Sequence, residues 1–310
     1  MGHRTHRIRP TLTLSTPRCG PATRDGAGPH HQPETHVKIG ELFAGYGGLA
    51  MGVQQVLGGE IAWHSEIDPA ASKILAHHWP HVPNHGDITA IDWAELEAVD
   101  ILTGGWPCQP FSMAGKQKAQ EDERALWPYV AAAVRALRPR YVILENVSAI
   151  LFLGELARAV GDLAQIGYDA RWVCVRASDV GAPHHRERCF ILAYPEGERP
   201  VRQQQSSGGE APRSGIDVRK GPLPDFGRYT AAVRTWERIV GPAPAPTETN
   251  RNGRPRLNAA FAEWLMGLPA GHVTAVPGIS RADQLKAIGN GVCVQQAAHA
   301  LNLLLEMETT

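Results

Sequence analysis

The stretch Val37-Lys-Ile-Gly-Glu-Leu-Phe43-Ala-Gly45-Tyr-Gly47-Gly48-Leu-Ala50 decides how this 310-residue chain is read. VKIGELF has the look of a buried β-strand, and the glycines that follow sit where that strand must turn into a helix. Glycine there permits a tight turn and lets backbone N–H groups approach a ligand at the helix N-terminus. The segment also satisfies Gly-x-Gly-x-x-Ala, and Glu66 lies 21 residues beyond Gly45, near the end of the next apolar run. An acidic residue at that place accepts both hydroxyls of a ribose. Asp87, in Gly-Asp-Ile after the following helix, stands where an adenine amine would be met. A structural turn beside two solvated acids satisfies the glycine pattern equally well. With Glu66 and Asp87 added, a nucleoside-containing cofactor is the better reading, and the loop does not say which one.

Outward from this stretch, apolar runs recur as IAWHSEI, VDILTGG, YVILENV, ARWVCVRA and RCFILAY. Helical patterns lie between them, at Leu126 to Leu137 and Ile150 to Leu163. Strands alternating with helices at this spacing predict an open, mostly parallel α/β sheet over residues 37–194, with helices on both faces. The pattern breaks after Tyr194. Residues 195–256 hold nine Pro, eight Gly and the polar run RQQQSSGGE, with a helix pattern only from Thr230 to Val240. Order resumes with RLNAAFAEWLMGLP, residues 256–269, and closes on a helix expected from about Leu285 to Leu305. Residues 1–36 are rich in Pro, Gly, His and Arg without hydrophobic period, and read as a disordered leader or as translation from an upstream start codon.

Composition narrows the class. A hydrophobic share of 43% excludes a wholly disordered chain, and no apolar run approaches the roughly 18 residues of a membrane span. The five cysteines (Cys19, Cys108, Cys174, Cys189, Cys293) are odd in number and widely spaced, which argues against a disulfide framework or a zinc site. No metal is expected. No apolar signal core follows the basic N-terminus, so a reducing cytoplasm is the expected compartment. The formal net charge is zero, yet it is segregated: net +3 over residues 1–36, net +4 over 195–256 and net −7 over the rest. Neutrality therefore does not exclude a polyanionic partner.

Three further elements end on the carboxyl edge of the predicted sheet, where open α/β sheets bind ligands. Gly104-Gly-Trp-Pro107-Cys108-Gln109-Pro110-Phe-Ser112 follows VDILT and fixes one thiol in a glycine- and proline-bounded loop. A free thiol is only slightly ionised at neutral pH, so a nucleophilic role needs electropositive surroundings. Most unpaired cysteines are buried small hydrophobes, and the other four fit that description. Glu145-Asn146-Val147 terminates YVIL, delivering a carboxylate at a strand end. Gly181-Ala-Pro-His184-His185-Arg186-Glu-Arg188 precedes CFILA, and strand alternation sends Arg186 and Arg188 to one side. Singly, each is more often a salt-bridge or surface group. Together they place a nucleophile, an acid and two cations on one rim.

In this order, FAGYGG, Glu66, GDI, PCQPFS, ENV, HHRER, RLNAAFAEWLMGLP and QLKAIGNGV closely resemble the cytosine-5 DNA methyltransferases that use S-adenosylmethionine. The resemblance covers 37–194 and 256 to about 300. It departs at His184, where the family usually has glutamine, and at Val294, where it often has proline. It implies a Rossmann-like methyltransferase sheet with 195–256 as a small, irregular target-recognition insert and 257–310 returning to the catalytic body. By resemblance, S-adenosylmethionine is held by Phe43, Gly45, Gly47, Gly48, Glu66, Ile67, Asp87, Pro107, Leu126, Asn290 and Val292. Gln109, Ser112 and Lys116 face DNA, and the loop from Ser112 to Arg124 is the lid over it.

The implied chemistry gives each remaining residue a task. Carbon 5 of cytosine is too weakly nucleophilic to attack a sulfonium unaided. Cys108, as thiolate, adds to carbon 6 and makes carbon 5 enamine-like. Glu145 holds or protonates ring nitrogen 3, while Arg188 contacts the cytosine oxygen and orients Glu145, and Arg186 contacts the site or a phosphate. None of this happens in a stacked duplex, so the base must be flipped out. The implied partner is double-stranded DNA, with a cognate restriction endonuclease as a candidate second partner. The expected actor is a monomer in a bacterial or phage-infected cell. Three rivals remain: a nicotinamide-dependent oxidoreductase, which leaves PCQ, ENV and the arginines unused; an inactive DNA-binding scaffold, against which intact Cys108 and Glu145 speak; and the same chemistry on transfer RNA.

Overall fold

Apolar runs flanked by glycine-rich turns build a six-stranded sheet in the order β2-β1-β3-β4-β6-β5. The coordinates are a computed structural model and describe residues 37–107, 126–200 and 226–307. The leader, the core of the insert, and Cys108, Gln109, Ser112 and Lys116 lie outside the described residues. The strands are β1 (Lys38–Leu42), β2 (Glu60–Ser65), β3 (Ile101–Gly104), β4 (Tyr141–Val147), β5 (Tyr168–Arg176) and β6 (Glu187–Pro195). Strands β1 to β4 run parallel, while β6 runs antiparallel to both of its neighbours, β4 and β5. The sheet is thus mostly parallel, as expected, with one reversed strand.

Both faces are covered, because strands buried on two sides must be apolar on two sides. On one face Leu102, Val142, Leu144, Cys189 and Ile191 pack against α3 (Trp127–Leu137) and α5 (Glu155–Ile166). On the other, Ile39, Ile101, Ile143, Phe190 and Leu192 pack against α1 (Gly48–Leu57) and α9 (Val294–Glu306). A third cluster joins α2 (Pro69–His78), α6 (Thr230–Val240), α7 (Ala259–Leu265) and α8 (Arg281–Asn290) around Ile74, Val233, Trp236, Trp264 and Ile288. Helix α6 therefore packs with the C-terminal segment, and Trp236 Nε1 donates to Trp264 O at 3.0 Å. Between α6 and α7 runs a short hairpin, β7 (Thr247–Thr249) with β8 (Pro255–Leu257).

Two expected helices are broken in the structure, each at a glycine. The Ile150–Leu163 pattern splits into α4 (Ile150–Leu153) and α5 at Gly154, which has φ of +79°. The closing helix begins earlier, at Arg281, and splits between Asn290 and Val294. There Gly291 lies flat against the Tyr46 ring, where an added Cβ would fall 1.9 Å from a ring carbon. Among the described residues no helix is long and apolar enough to cross a membrane.

Candidate active site

A cavity of about 700 Å³ opens at the carboxyl ends of β1 to β4, within the usual range for small-molecule sites. Its floor is the turn after β1. Gly47 caps α1 with φ of +85°, and Gly48 packs so tightly that a Cβ would meet Val292 O at 2.5 Å. These glycines let the first helix start directly beneath the cavity. Asp68 caps α2 through its Oδ1, which accepts from Ala70 N at 2.9 Å and Ala71 N at 3.1 Å, and so fixes the turn after β2.

Glu66 belongs to that turn. Its Oε2 accepts from Gly45 N and its Oε1 from Asp68 N, each at 2.7 Å, while its own N–H donates to Asn84 Oδ1 at 2.9 Å. Burial pushes the Glu66 carboxyl above its ordinary value, against the pull of the two backbone donors. Ile67, beside it, is 69% exposed, and such a large apolar face at a cavity wall suits a planar ring. Asp87 Oδ1 accepts from Thr89 N and Thr89 Oγ1, both at 2.9 Å.

Across the cavity, Glu145 stands at the end of β4 and is 8% exposed. Register explains its partner. Phe190 opposes Glu145 and Arg188 opposes Val147, so Arg188 is the diagonal neighbour on the same face. Arg188 Nε lies 2.8 Å from Glu145 Oε1. Burial raises the Glu145 carboxyl, opposed by the Arg188 and Arg186 charges. Burial also lowers Arg188, with Arg186 adding repulsion and Glu145 opposing it. Asn146, facing the other way, donates from Nδ2 to Trp106 O at 2.9 Å and ties the end of β4 to the loop after β3. Pro107, the last described residue of that loop, lines the cavity and leads directly into Cys108.

Phe43, Gly45, Gly48, Glu66, Ile67, Asp87, Pro107, Leu126, Glu145, Arg188, Asn290 and Val292 all line this one cavity. Gly47 and Arg186 do not. Gly47 faces the Trp79 ring instead. Arg186 departs from the alternation expected of it: it precedes β6 with φ of +23°, and its Nη2 donates to Gly291 O at 2.6 Å. His184, the departure from the family pattern, bonds Leu265 O through Nε2 at 2.8 Å, and burial lowers its pKa.

Glu41 also lines the cavity and was not singled out by the sequence, although a carboxylate inside an apolar strand is itself a signal. It is 1% exposed, and its Oε1 accepts from Ala50 N at 3.1 Å in the first helix. Its Oε2 lies 3.2 Å from His64 Nδ1, off hydrogen-bond geometry. Among the described residues no group of three or more His, Cys, Asp and Glu is arranged to hold a metal ion.

The order and spacing of these elements match one family model, that of the C-5 cytosine-specific DNA methylases, over residues 37–213. The chain belongs to the C-5 cytosine-specific DNA methylase family. Among its relatives in sequence are the Type II methyltransferase M1.ScrFI of Lactococcus lactis, 31% identical over 230 residues, which are 70% of this chain and 56% of that protein. The Type II methyltransferase M.HgiBI of Herpetosiphon aurantiacus is 37% identical over 161 residues, 49% of this chain and 36% of that protein. The chain thus spans about half or less of these relatives' length. In fold, the family member resembles the S. pombe Dnmt2 methyltransferase, with a TM-score of 0.60 at 17% identity, covering 87% of this chain and 99% of that one. A variant of the Spodoptera frugiperda DNMT2 gives 0.62 at 18% identity, covering 87% and 100%.

Proposed function

We propose that the chain methylates carbon 5 of a flipped-out cytosine in a specific double-stranded DNA sequence, with S-adenosylmethionine as donor. The observation that carries this reading is the shared cavity. One wall presents Glu66 and Asp87, the other presents the Arg188–Glu145 pair, and Pro107, the residue before Cys108 in sequence, belongs to the same lining.

The donor pocket fits an adenosyl group. Each Glu66 oxygen already accepts one backbone N–H, which fixes its position and leaves lone pairs for the two ribose hydroxyls. Asp87 is the acceptor for the adenine amine, beside the exposed face of Ile67. Phe43, Gly45, Gly48, Leu126, Asn290 and Val292 complete the lining, with Gly47 shaping the turn beneath it. When bound, S-adenosylmethionine supplies an electrophilic methyl group on a sulfonium sulfur.

At the base, Cys108 adds as thiolate to carbon 6, and the electron pair moves to carbon 5. Glu145, raised by burial, carries a proton to ring nitrogen 3 and accepts from the exocyclic amine. Arg188 holds Glu145 in that orientation and contacts the cytosine oxygen. Once carbon 5 bears the methyl group, its proton leaves to water, the ring double bond re-forms, Cys108 departs as thiolate and the nitrogen-3 proton returns to Glu145. Arg186 acts through the Gly291 loop, with its positive charge still felt at Glu145. Gln109, Ser112 and Lys116 are the proposed DNA contacts of the loop, and 195–256 is the proposed target-recognition insert. The protein is proposed to act as a monomer in the cytoplasm, in a restriction-modification setting with a cognate endonuclease as partner.

Expression of the gene in a methylation-free host, followed by base-resolution mapping of 5-methylcytosine, tests this. Methylation of one short sequence motif is the expected result. Methylation confined to transfer RNA would move the same chemistry to a different polymer, and none on either would leave an inactive scaffold.

A further inference from the structure

The strand pair that presents Arg188 also carries two thiols that the proposed chemistry does not use. Cys174 in β5 and Cys189 in β6 stand directly opposite one another in the antiparallel register. Both belong to the face packed against α3 and α5, so their side chains share one side of the sheet. Directly opposed residues of an antiparallel pair have Cα atoms about 4.5–5.5 Å apart, inside the roughly 4.4–6.8 Å that a disulfide spans. The two thiols interact directly, each shifting the other's ionisation.

The two positions differ in access. Strand β5 is the outer strand of the sheet and Cys174 is half-buried, whereas Cys189 is fully buried. Burial raises both thiols, Cys189 to about 12, and the neighbouring Cys189 opposes that rise at Cys174 whereas Cys174 adds to it at Cys189. Attack therefore begins at Cys174 and is completed by its buried neighbour. Cys189 is adjacent in sequence to Arg188, whose Nε is 2.8 Å from Glu145 Oε1.

We propose that Cys174 and Cys189 form a dithiol site that two-electron thiol oxidants close to a cross-strand disulfide, and that closure restrains the strand segment presenting Arg188 to Glu145. With an azo oxidant such as diamide the steps balance. The Cys174 sulfur adds to one nitrogen of the N=N bond, and its proton goes to the other nitrogen. The Cys189 sulfur then attacks the Cys174 sulfur, forming S–S and breaking S–N, and the departing nitrogen takes the Cys189 proton. Both sulfurs are oxidised and the azo bond is reduced to a hydrazine. A peroxide closes the same pair through a sulfenic acid at Cys174, with water leaving at each step.

The test uses the full chain carrying Cys108→Ala, which removes the thiol in the PCQ loop from the reaction. After diamide treatment and tryptic digestion without reductant, the peptide Trp172–Arg176 is expected linked to the peptide that begins at Cys189, lighter by two hydrogens than the pair. Recovery of the two as separate thiol peptides, or of Cys174 joined to any other cysteine, overturns the site. In chains retaining Cys108, wild type is then compared with Cys174→Ser, which lies outside the cavity and leaves untreated activity unchanged. Wild type is expected to lose several-fold more methyl transfer to diamide than the variant, and to regain it with dithiothreitol. Equal losses would assign the effect to other thiols and overturn the link to Arg188. The peptide readout stands whether or not the chain methylates DNA.

Discussion

Two buried carboxylates face one cavity, and they are held by different means. Glu66 is gripped by the backbone N–H groups of Gly45 and Asp68, each at 2.7 Å, donors that carry no formal charge and cannot move away. Glu145 is gripped by the Arg188 guanidinium at 2.8 Å, with Arg186 adding charge nearby. Burial raises both carboxyls. The difference lies in what a substitution leaves behind. A Glu66 variant loses a positioned acceptor, whereas a Glu145 variant disturbs a charge pair whose protonation is part of the chemistry. In the proposed function the first wall holds the methyl donor and the second assists the reaction at the base.

The largest expected effect belongs to the proposed nucleophile rather than to either carboxylate. Cys108→Ala is expected to abolish methyl transfer while cofactor affinity, measured by calorimetry, stays near wild type; retained turnover in a tritiated-methyl assay would remove Cys108 from the nucleophile's role. Next, Glu145→Gln is expected to lower the rate constant about 100- to 10,000-fold, the usual worth of a general acid–base group, with cofactor affinity little changed. A near-normal rate would erase the distinction between the walls.

Arg188→Met sharpens the comparison on stability. Leaving Glu145 buried without its partner costs about 3–5 kcal/mol at neutral pH, measured by denaturant unfolding. The sign with pH follows from the raised Glu145 carboxyl. The folded chain keeps a proton that the unfolded chain has released, so stability falls as pH rises from the ordinary carboxylate value through the folded one. The Arg188→Met deficit is therefore expected to shrink on acidification, and a deficit independent of pH would contradict the pairing. The smallest effect belongs to Glu66→Gln. It is expected to raise the KM for S-adenosylmethionine about 10- to 100-fold, the worth of a hydrogen bond to a charged group, with kcat preserved at saturation.

The walls were not equally legible in the sequence. The strands that end at Glu66 and Glu145 announce themselves as apolar runs, because a sheet buried on both faces leaves little choice of residue. The glycine turn is legible because Gly47 needs a positive φ and Gly48 a bare Cα against Val292 O. Arg188 was legible by alternation, but Arg186 was not, because its φ of +23° breaks the strand just where alternation was counted. The break at Gly291 was hidden for a different reason. Helical periodicity runs on through that segment, and what stops it is a tertiary neighbour, the Tyr46 ring, whose OH donates to Val292 O at 2.6 Å. Glu41 does not stand out in the sequence because its strand reads as apolar, yet its Oε1 holds the N–H of Ala50 in the first helix. The β7–β8 hairpin carries Asn252-Gly253 at its turn, a signal masked by the surrounding Pro and Arg.

In the proposed reaction Cys108 bonds to the cytosine ring while Glu145 assists at ring nitrogen 3. The most direct measurement offers the protein S-adenosylmethionine and duplex DNA that carries the target motif with 5-fluorocytosine at the target position. Fluorine cannot leave as the carbon-5 proton does, so the adduct cannot collapse. The expected result is a denaturation-resistant protein–DNA complex whose linked peptide carries the base on Cys108, formed slowly by Glu145→Gln and not at all by Cys108→Ala. Methylation of the ordinary duplex without any trapped complex on the fluorinated one, or a complex linked through another residue, would contradict it.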